Sequence, residues 1–188
     1  VHRLQRVNAA PDKAGFYYES VAKRVQLDPA VPLLAVINLA GPSIADKRWN
    51  PARKKLLKDS RANLTGALAA ALAAAEHRPQ VLLSASAIGY YGANPGQRVD
   101  EHSAAGDHFL ADVATAWEAA TAPAKEAGIR TVLMRFGIVL SSRGGVVSNL
   151  VLPLRSGVVG RIGDGRQLYS WISLLDVIGF VIHALGSE

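Results

Sequence analysis

Four hydroxyl-bearing residues stand close together in the stretch VLLSASAIGYYGANPG, Val81 to Gly96: Ser84, Ser86, Tyr90 and Tyr91. A serine can hydrogen-bond a carbonyl or hydroxyl oxygen, and a tyrosine can pass a proton to or from one. All four follow or end an apolar run that reads as a buried strand, and the carboxyl ends of strands are where α/β proteins bind ligands. The structural alternatives are plain: a serine hydroxyl that satisfies nearby backbone, and tyrosines packed beneath the loop.

Other reactive groups are sparser. The five histidines, His2, His77, His102, His108 and His183, form no ligand-spaced cluster with carboxylates, and cysteine is absent, so no metal site is expected. Asp100, Glu101 and Asp107 read as loop decoration and a helix cap. Cations concentrate between Lys47 and Arg61, with Arg48, Arg53, Lys54, Lys55 and Lys58 between them, against Asp46 and Asp59. They read first as a solvated helix face and second as an attractor for an anionic ligand such as a phosphorylated cofactor.

The elements that must position these groups alternate between strand and helix. VHRLQR is a short strand; AVINLAG, Ala35 to Gly41, is an apolar run ending in a turn. Asn50 and Pro51 are a cap and a first-turn proline, opening a helix to about Glu76 with Leu56, Leu64, Leu68 and Leu72 on its stripe and Gly66 as a weak point. QVLLSAS is the next strand. A second helix starts at Asp107, carries Val113 and Trp117, is bent or broken by Pro123 and closes at Gly128. RTVLMRFGIVL is a third strand, GGVVSNLVLPLRSG a short helix, GRIGDGRQLYSWI a loop entering a strand, and LLDVIGFVIHAL a final helix with Asp176 near its start. This alternation predicts a doubly wound α/β domain with a parallel sheet. Gly41, Ser84 to Ser86 and Phe136 to Ile138 then share one rim.

The chain has 188 residues, 49% of them hydrophobic and 19% charged, which fits one domain with a sizeable core. The absence of cysteine fits a reducing, cytoplasmic setting. No apolar run has membrane-spanning length. The net charge of +6 comes without a nucleic-acid motif or interleaved aromatic and basic residues, so a basic nucleic-acid binder is a distant alternative.

VINLAGPSIADKRWNPARKKLLKDSR, SASAIGYYG, Trp117–Glu118, RFGIVLSSRGG and GDGRQLYSWI…D occur in an order and spacing that resemble the extended short-chain dehydrogenase/reductase superfamily, in its atypical NAD(P)-binding "epimerase family" branch. The resemblance covers Val1 to about Ala184 and implies a Rossmann-like fold. It also implies a first strand and a GxxGxxG pyrophosphate loop that do not occur here, so 1–188 is expected to be one truncated NAD(P)-binding domain, an internal fragment of a longer protein, with 144–172 on the substrate side.

Residue by residue, the resemblance implies that Arg6 ends the second family strand and grips the 2′-phosphate of NADP, NAD being the alternative cofactor. Leu39, Ala40 and Gly41 form a small-residue turn against the cofactor, joined by Ser84, Ala85, Phe136, Gly137 and Ile138. Ser86 maps onto the catalytic serine, with Ser84 as fallback, and Tyr90 and Tyr91 face the substrate. Arg166 pairs with an anionic substrate group, and Trp171, read alone as core, packs over a sugar or ring. The superfamily's general acid/base tyrosine, with its lysine four residues on, is missing: Val21, Ala22, Asn94, Pro95 and Ser173 follow the five tyrosines at that spacing. Counting back from Glu118, the two slots hold Leu110 and Ala114, and Arg61 replaces the helix asparagine.

Two functions follow. One is an NADP(H)-dependent oxidoreductase or epimerase acting on a carbonyl or sugar-nucleotide-type substrate through a rearranged site of Ser86, Tyr90 or Tyr91, with Arg61 or Arg166 polarising the substrate. The other is a catalytically silent NADP(H) sensor or scaffold. A homodimer is expected through the helices around Leu56–Ala75 and Asp107–Ala124.

Overall fold

The computed structural model describes residues 1–9, 12–93, 97–145, 147, 151, 155–157, 164–166 and 168–187. Its centre is a parallel sheet in the order β4 (Ala35–Asn38), β5 (Val81–Ala87), β6 (Arg130–Phe136). β5 is apolar almost throughout because both of its faces are covered. Leu82 points into a cluster with Leu68 and Leu72 of α1 (Pro51–Ala74) and Ala124 of α3 (Ala122–Glu126). Val81 and Leu83 point the other way, to Met134 and to Ala184 of α4 (Leu174–Gly186). The side-chain period of two therefore sends Ser84 and Ser86 to the same face as Leu82.

α1 opens as its sequence dictates. Asn50 Oδ1 accepts the Arg53 N–H at 2.7 Å, and Pro51 occupies the first turn. Its buried stripe is Leu57, Arg61, Thr65, Leu68, Ala69 and Leu72. Leu56, expected on that stripe, is 48% exposed, whereas Leu57 is fully buried. Gly66 does not interrupt the helix. Part of the alanine-rich face expected to pair between subunits is used within the chain, since Ala67, Ala69 and Ala71 pack against the core that includes Val25.

α2 (Phe109–Ala119) is capped by His108, whose Nδ1 accepts the Ala111 N–H at 3.1 Å. The expected cap, Asp107, lies one residue too early. Pro123 acts as expected: α2 ends, and α3 begins afresh with the proline in its first turn. The third expected strand is two strands. It breaks at Gly137, where an added Cβ would stand 2.7 Å from the Ser170 carbonyl oxygen, and continues as β7 (Ile138–Leu140). β7 pairs in parallel with β8 (Trp171–Ser173). Ser173 then caps α4, accepting the Asp176 N–H at 3.0 Å and donating to Asp176 Oδ2 at 2.7 Å.

The first ordered strand, expected over HRLQR, is β1 (Gln5–Val7). It pairs in parallel with β2 (Tyr17–Glu19), which forms an antiparallel hairpin with β3 (Arg24–Gln26) through Lys23 at φ 52°. That hairpin is absent from the sequence-based expectation, and it makes this outer sheet mixed rather than parallel. Parts of the helix expected over 144–157 and of the loop over 160–170 lie outside the described residues. No helix among the described residues is long and apolar enough to cross a membrane.

Candidate functional site

Two buried polar networks lie under the rim formed by the carboxyl ends of β4, β5 and β6. The first fixes the turn after β4. Asn38 Nδ2 donates to Thr65 Oγ1 (2.8 Å) and Ser84 Oγ (3.3 Å), and Trp117 Nε1 donates to the same Thr65 oxygen (2.9 Å). Asn38 Oδ1 accepts the Ala40 N–H at 3.2 Å, which bends the chain toward Gly41. Arg61 completes this network. Its Nη2 donates to the Pro42 carbonyl (2.9 Å), its Nη1 to the Leu57 carbonyl (3.1 Å), and its guanidinium lies 5.1 Å from the Trp117 ring centroid. A Cβ at Gly41 would meet that guanidinium at 3.0 Å, so glycine allows the close approach. Burial, and then the charge of Arg53, pull the Arg61 pKa below its ordinary value. Arg61, expected beside Ser86, Tyr90 and Tyr91 in a catalytic group, has its guanidinium on the Pro42 and Leu57 carbonyls, against the Leu39–Pro42 turn.

The second network joins three elements at Arg135 of β6. Glu118 of α2 takes two parallel bonds from it, Nε to Oε1 and Nη2 to Oε2, each 2.8 Å. Ser86 Oγ donates to Glu118 Oε1 at 2.6 Å. The third guanidinium nitrogen, Nη1, donates to the Tyr91 hydroxyl oxygen at 2.9 Å. Tyr90 lies under the guanidinium, 3.5 Å from ring centroid to Cζ, and meets Tyr91 edge to face. Both tyrosines sit on a 3-10 turn, Ile88–Tyr91, held by the Gly106 N–H donating to the Tyr90 carbonyl at 2.8 Å. The hydrogen bonds from Arg135 to Glu118 hold its guanidinium more firmly charged than a free arginine, against the pull of burial, and the bond to Tyr91 adds to the effect.

The same network holds the expected catalytic serine. Ser86 is 4% exposed and its proton is committed to Glu118. On α2, Glu118 lies eight residues from Leu110, about two turns or 12 Å along the axis. The residue facing Leu110 is Gly89, whose added Cβ would meet the Leu110 Cβ at 3.2 Å. Ser86 is therefore deeper in the sheet than the tyrosine slot, and the residue beside that slot has no side chain. Ala114, in the lysine slot, is 2% exposed. Ser84 is fully buried and Ala85 is 8% exposed, so both form the floor of the rim.

Around the networks, Leu39 is 60% exposed at the end of β4. The Ile138 N–H donates to the Ser170 carbonyl at 2.9 Å, bringing the Phe136–Ile138 segment against the chain entering β8. Trp171 lies there but is 64% exposed, which overturns its expected core packing. Arg166 is exposed, with its backbone N–H on Asp164 Oδ1 at 2.9 Å. Arg6 is exposed on β1 and makes no ion pair among the described residues. A cavity of about 510 Å³ runs along the outer edge of β6, lined by Tyr91, Glu101, Arg135, Phe136, Gly137 and Phe180 among others. Sequence reasoning missed Arg135, Asn38 and Thr65. Arg135 directly precedes the FGI motif and pairs in register with Ser86, a neighbourhood that only strand pairing reveals.

The family model for the NAD dependent epimerase/dehydratase family matches residues 8–188. The chain is similar to the epimerase family protein Mb2239 of Mycobacterium bovis, with 46% identity over 144 residues, which is 77% of this chain and 47% of that protein. It thus spans about half the length of that relative. Among solved structures, human epimerase family protein SDR39U1 (isoform 2) with NADPH matches with a TM-score of 0.80 at 31% identity, over 97% of this chain and 61% of that one. A nucleoside-diphosphate sugar epimerase from Corynebacterium glutamicum matches with a TM-score of 0.69 at 35% identity, over 81% of this chain and 31% of that one. The fold is the Rossmann-like one that the motif order implied, and the chain belongs to the NAD dependent epimerase/dehydratase family.

Proposed function

We propose that this chain is the cofactor-binding part of an NADP(H)-dependent oxidoreductase or epimerase that acts on a carbonyl or sugar-nucleotide-type substrate without the usual tyrosine–lysine pair. The observation that carries this reading is the Tyr91 hydroxyl held on Arg135, beside Phe136 and Gly137 and lining one cavity with them. A bound nicotinamide supplies or accepts a hydride. The residues present fit such a group: Leu39 to Gly41 offer an exposed apolar side chain and a glycine turn braced by Asn38 and Arg61, over a floor of Ser84 and Ala85. Phe136, Gly137 and Ile138 flank the same rim, and Arg6 is the candidate for a 2′-phosphate. The human relative's NADPH supports NADP over NAD. Trp171, exposed and paired with Ile138 at this rim, and the exposed Arg166 are the candidates for substrate contact. In the full-length protein, the remaining exposed face of α1, including Leu56, pairs two copies.

Calorimetry on full-length wild type and Arg6→Ala tests the cofactor. NADPH affinity should fall roughly tenfold or more, with little change for NADH. Equal wild-type affinity for the two cofactors refutes the assignment.

A second reading, NADP(H) binding without turnover, is favoured by one feature. Leu110, Gly89 and Ala114 leave no proton carrier where the superfamily keeps one, and the Ser86 proton is spent on Glu118. Tight NADPH binding without turnover across a broad panel of carbonyl and sugar-nucleotide substrates would support it.

A further inference from the structure

Resting on the oxidoreductase reading above, we propose that Arg135 is a catalytic residue that replaces the missing lysine by acting on Tyr91, and that Glu118 is the positioning residue that aims it. The superfamily pair places a cation beside a tyrosine oxygen. Here the only tyrosine oxygen shown to accept from a cation is that of Tyr91, at 2.9 Å from Arg135 Nη1, among the described residues. Guanidinium has donors and no lone pair, so the polarity of this bond is fixed: Tyr91 oxygen accepts, and its own proton is directed elsewhere.

Glu118 sets the aim. Its two oxygens take Nε and Nη2 along one edge of the fork, which leaves Nη1 as the end turned to Tyr91. The carboxylate partly neutralises the guanidinium, but the Tyr91 oxygen touches the cation directly, and the nearer charge dominates the field it feels. Ser86 holds the carboxylate from the other side, and the Tyr90 ring closes the face of the guanidinium at 3.5 Å. Three elements, β5, β6 and α2, thereby fix one guanidinium, the kind of preorganisation that a transition-state charge requires.

The step balances as follows. A reduced nicotinamide, held against Leu39 to Gly41 and Phe136 to Ile138, would supply a hydride to the carbonyl carbon, and the carbonyl π pair would move to oxygen. That oxygen takes the Tyr91 proton as the phenolic O–H bond breaks. The phenolic oxygen keeps the electron pair and its negative charge, which Arg135 meets through Nη1. Water then returns a proton to Tyr91.

The test uses full-length wild type, Tyr91→Phe, Arg135→Gln, Arg135→Lys, Glu118→Gln and the double variant Tyr91→Phe/Arg135→Gln, with NADPH and a panel of carbonyl and sugar-nucleotide substrates. Turnover should fall by about 100-fold in Tyr91→Phe and in Arg135→Gln, the lower bound for losing acid/base assistance. The double variant should be no slower than the worse single one, because the two groups act as a unit. Arg135→Lys should recover part of the loss. NADPH affinity by calorimetry should stay within twofold in all variants. Nitrogen-15 spectra should show a restrained Arg135 guanidinium in wild type, perturbed in Tyr91→Phe and freed to rotate in Glu118→Gln. Multiplicative losses in the double variant, or full turnover in Arg135→Gln, would overturn the role of Arg135 while leaving cofactor binding intact. If wild type binds NADPH but turns over nothing, the catalytic role is also overturned. Failure to bind NADPH would instead sink the reading on which it rests. Should Arg135→Gln fail to fold, Tyr91→Phe and Arg135→Lys still decide the matter.

Discussion

Removing Glu118 should be one of the most damaging single changes in this chain, and the structure gives the size of the effect. Its carboxylate receives two bonds from Arg135 and one from Ser86. The side chains of Arg135 and Glu118 are 17% and 9% exposed. Truncating one partner of a buried ion pair costs about 3–5 kcal/mol, because the other charge is left uncompensated. The Arg135 exposure allows some water to reach it, which places the expected cost of Glu118→Met near the lower figure, about 3 kcal/mol. Stranding the Ser86 hydroxyl adds about 1 kcal/mol. Replacing both charges should recover most of this, since an apolar pair of similar volume is often neutral or stabilising. The assay is urea unfolding of Glu118→Met, Arg135→Met and the double variant, followed by circular dichroism. A coupling of about 2 kcal/mol or more between the two sites is expected, within the range for residues in one network. Single variants that each cost less than about 0.5 kcal/mol, the level of ordinary surface changes, would refute the view that the pair is buried and interdependent.

Leu57→Ala should cost about 2–5 kcal/mol by leaving a cavity at a fully buried site, while the neighbouring Leu56→Ala stays near 0.5 kcal/mol or less; unfolding curves that reverse this order would refute the helix phase. Gly106→Ala should destabilise by about 1–3 kcal/mol and disturb the Tyr90–Tyr91 turn, because its Cβ would fall 2.7 Å from the Gly92 Cα and 2.8 Å from the Tyr91 carbonyl oxygen; near-ultraviolet circular dichroism of the tyrosines reads this directly. Trp171→Ser should leave stability within about 1 kcal/mol while removing an exposed tryptophan from the emission spectrum, and a large loss of stability would return Trp171 to a core role.

The sequence by itself determined the architecture. Apolar runs announced β4, β5 and β6, the last merged with β7, and Asn50–Pro51 and Pro123 placed helix boundaries where they are found. These signals are local: a strand buried on both faces must be apolar, and a proline cannot continue a helix. The motif order likewise led to the family. What the sequence did not determine was any feature that depends on which residues meet across elements. The β2–β3 hairpin has only three residues in each strand, too few for an alternating pattern to register. The helix stripe was placed one residue early at Leu56, because adjacent leucines make the phase ambiguous until the partner surface is known. Ser86 and Tyr91 were legible as strand-end hydroxyls, but their partners were not. Strand pairing sets Ser86 beside Arg135, and helix packing brings in Glu118, 32 residues away from Ser86 in the chain. Arg61 followed the same rule. Its candidacy for the site came from the family resemblance, while its contacts with Pro42 and Trp117 were set only when the β4 turn folded over α1 and α2. A hydrogen bond needs two groups within about 3 Å, a distance that only the packed tertiary structure can set.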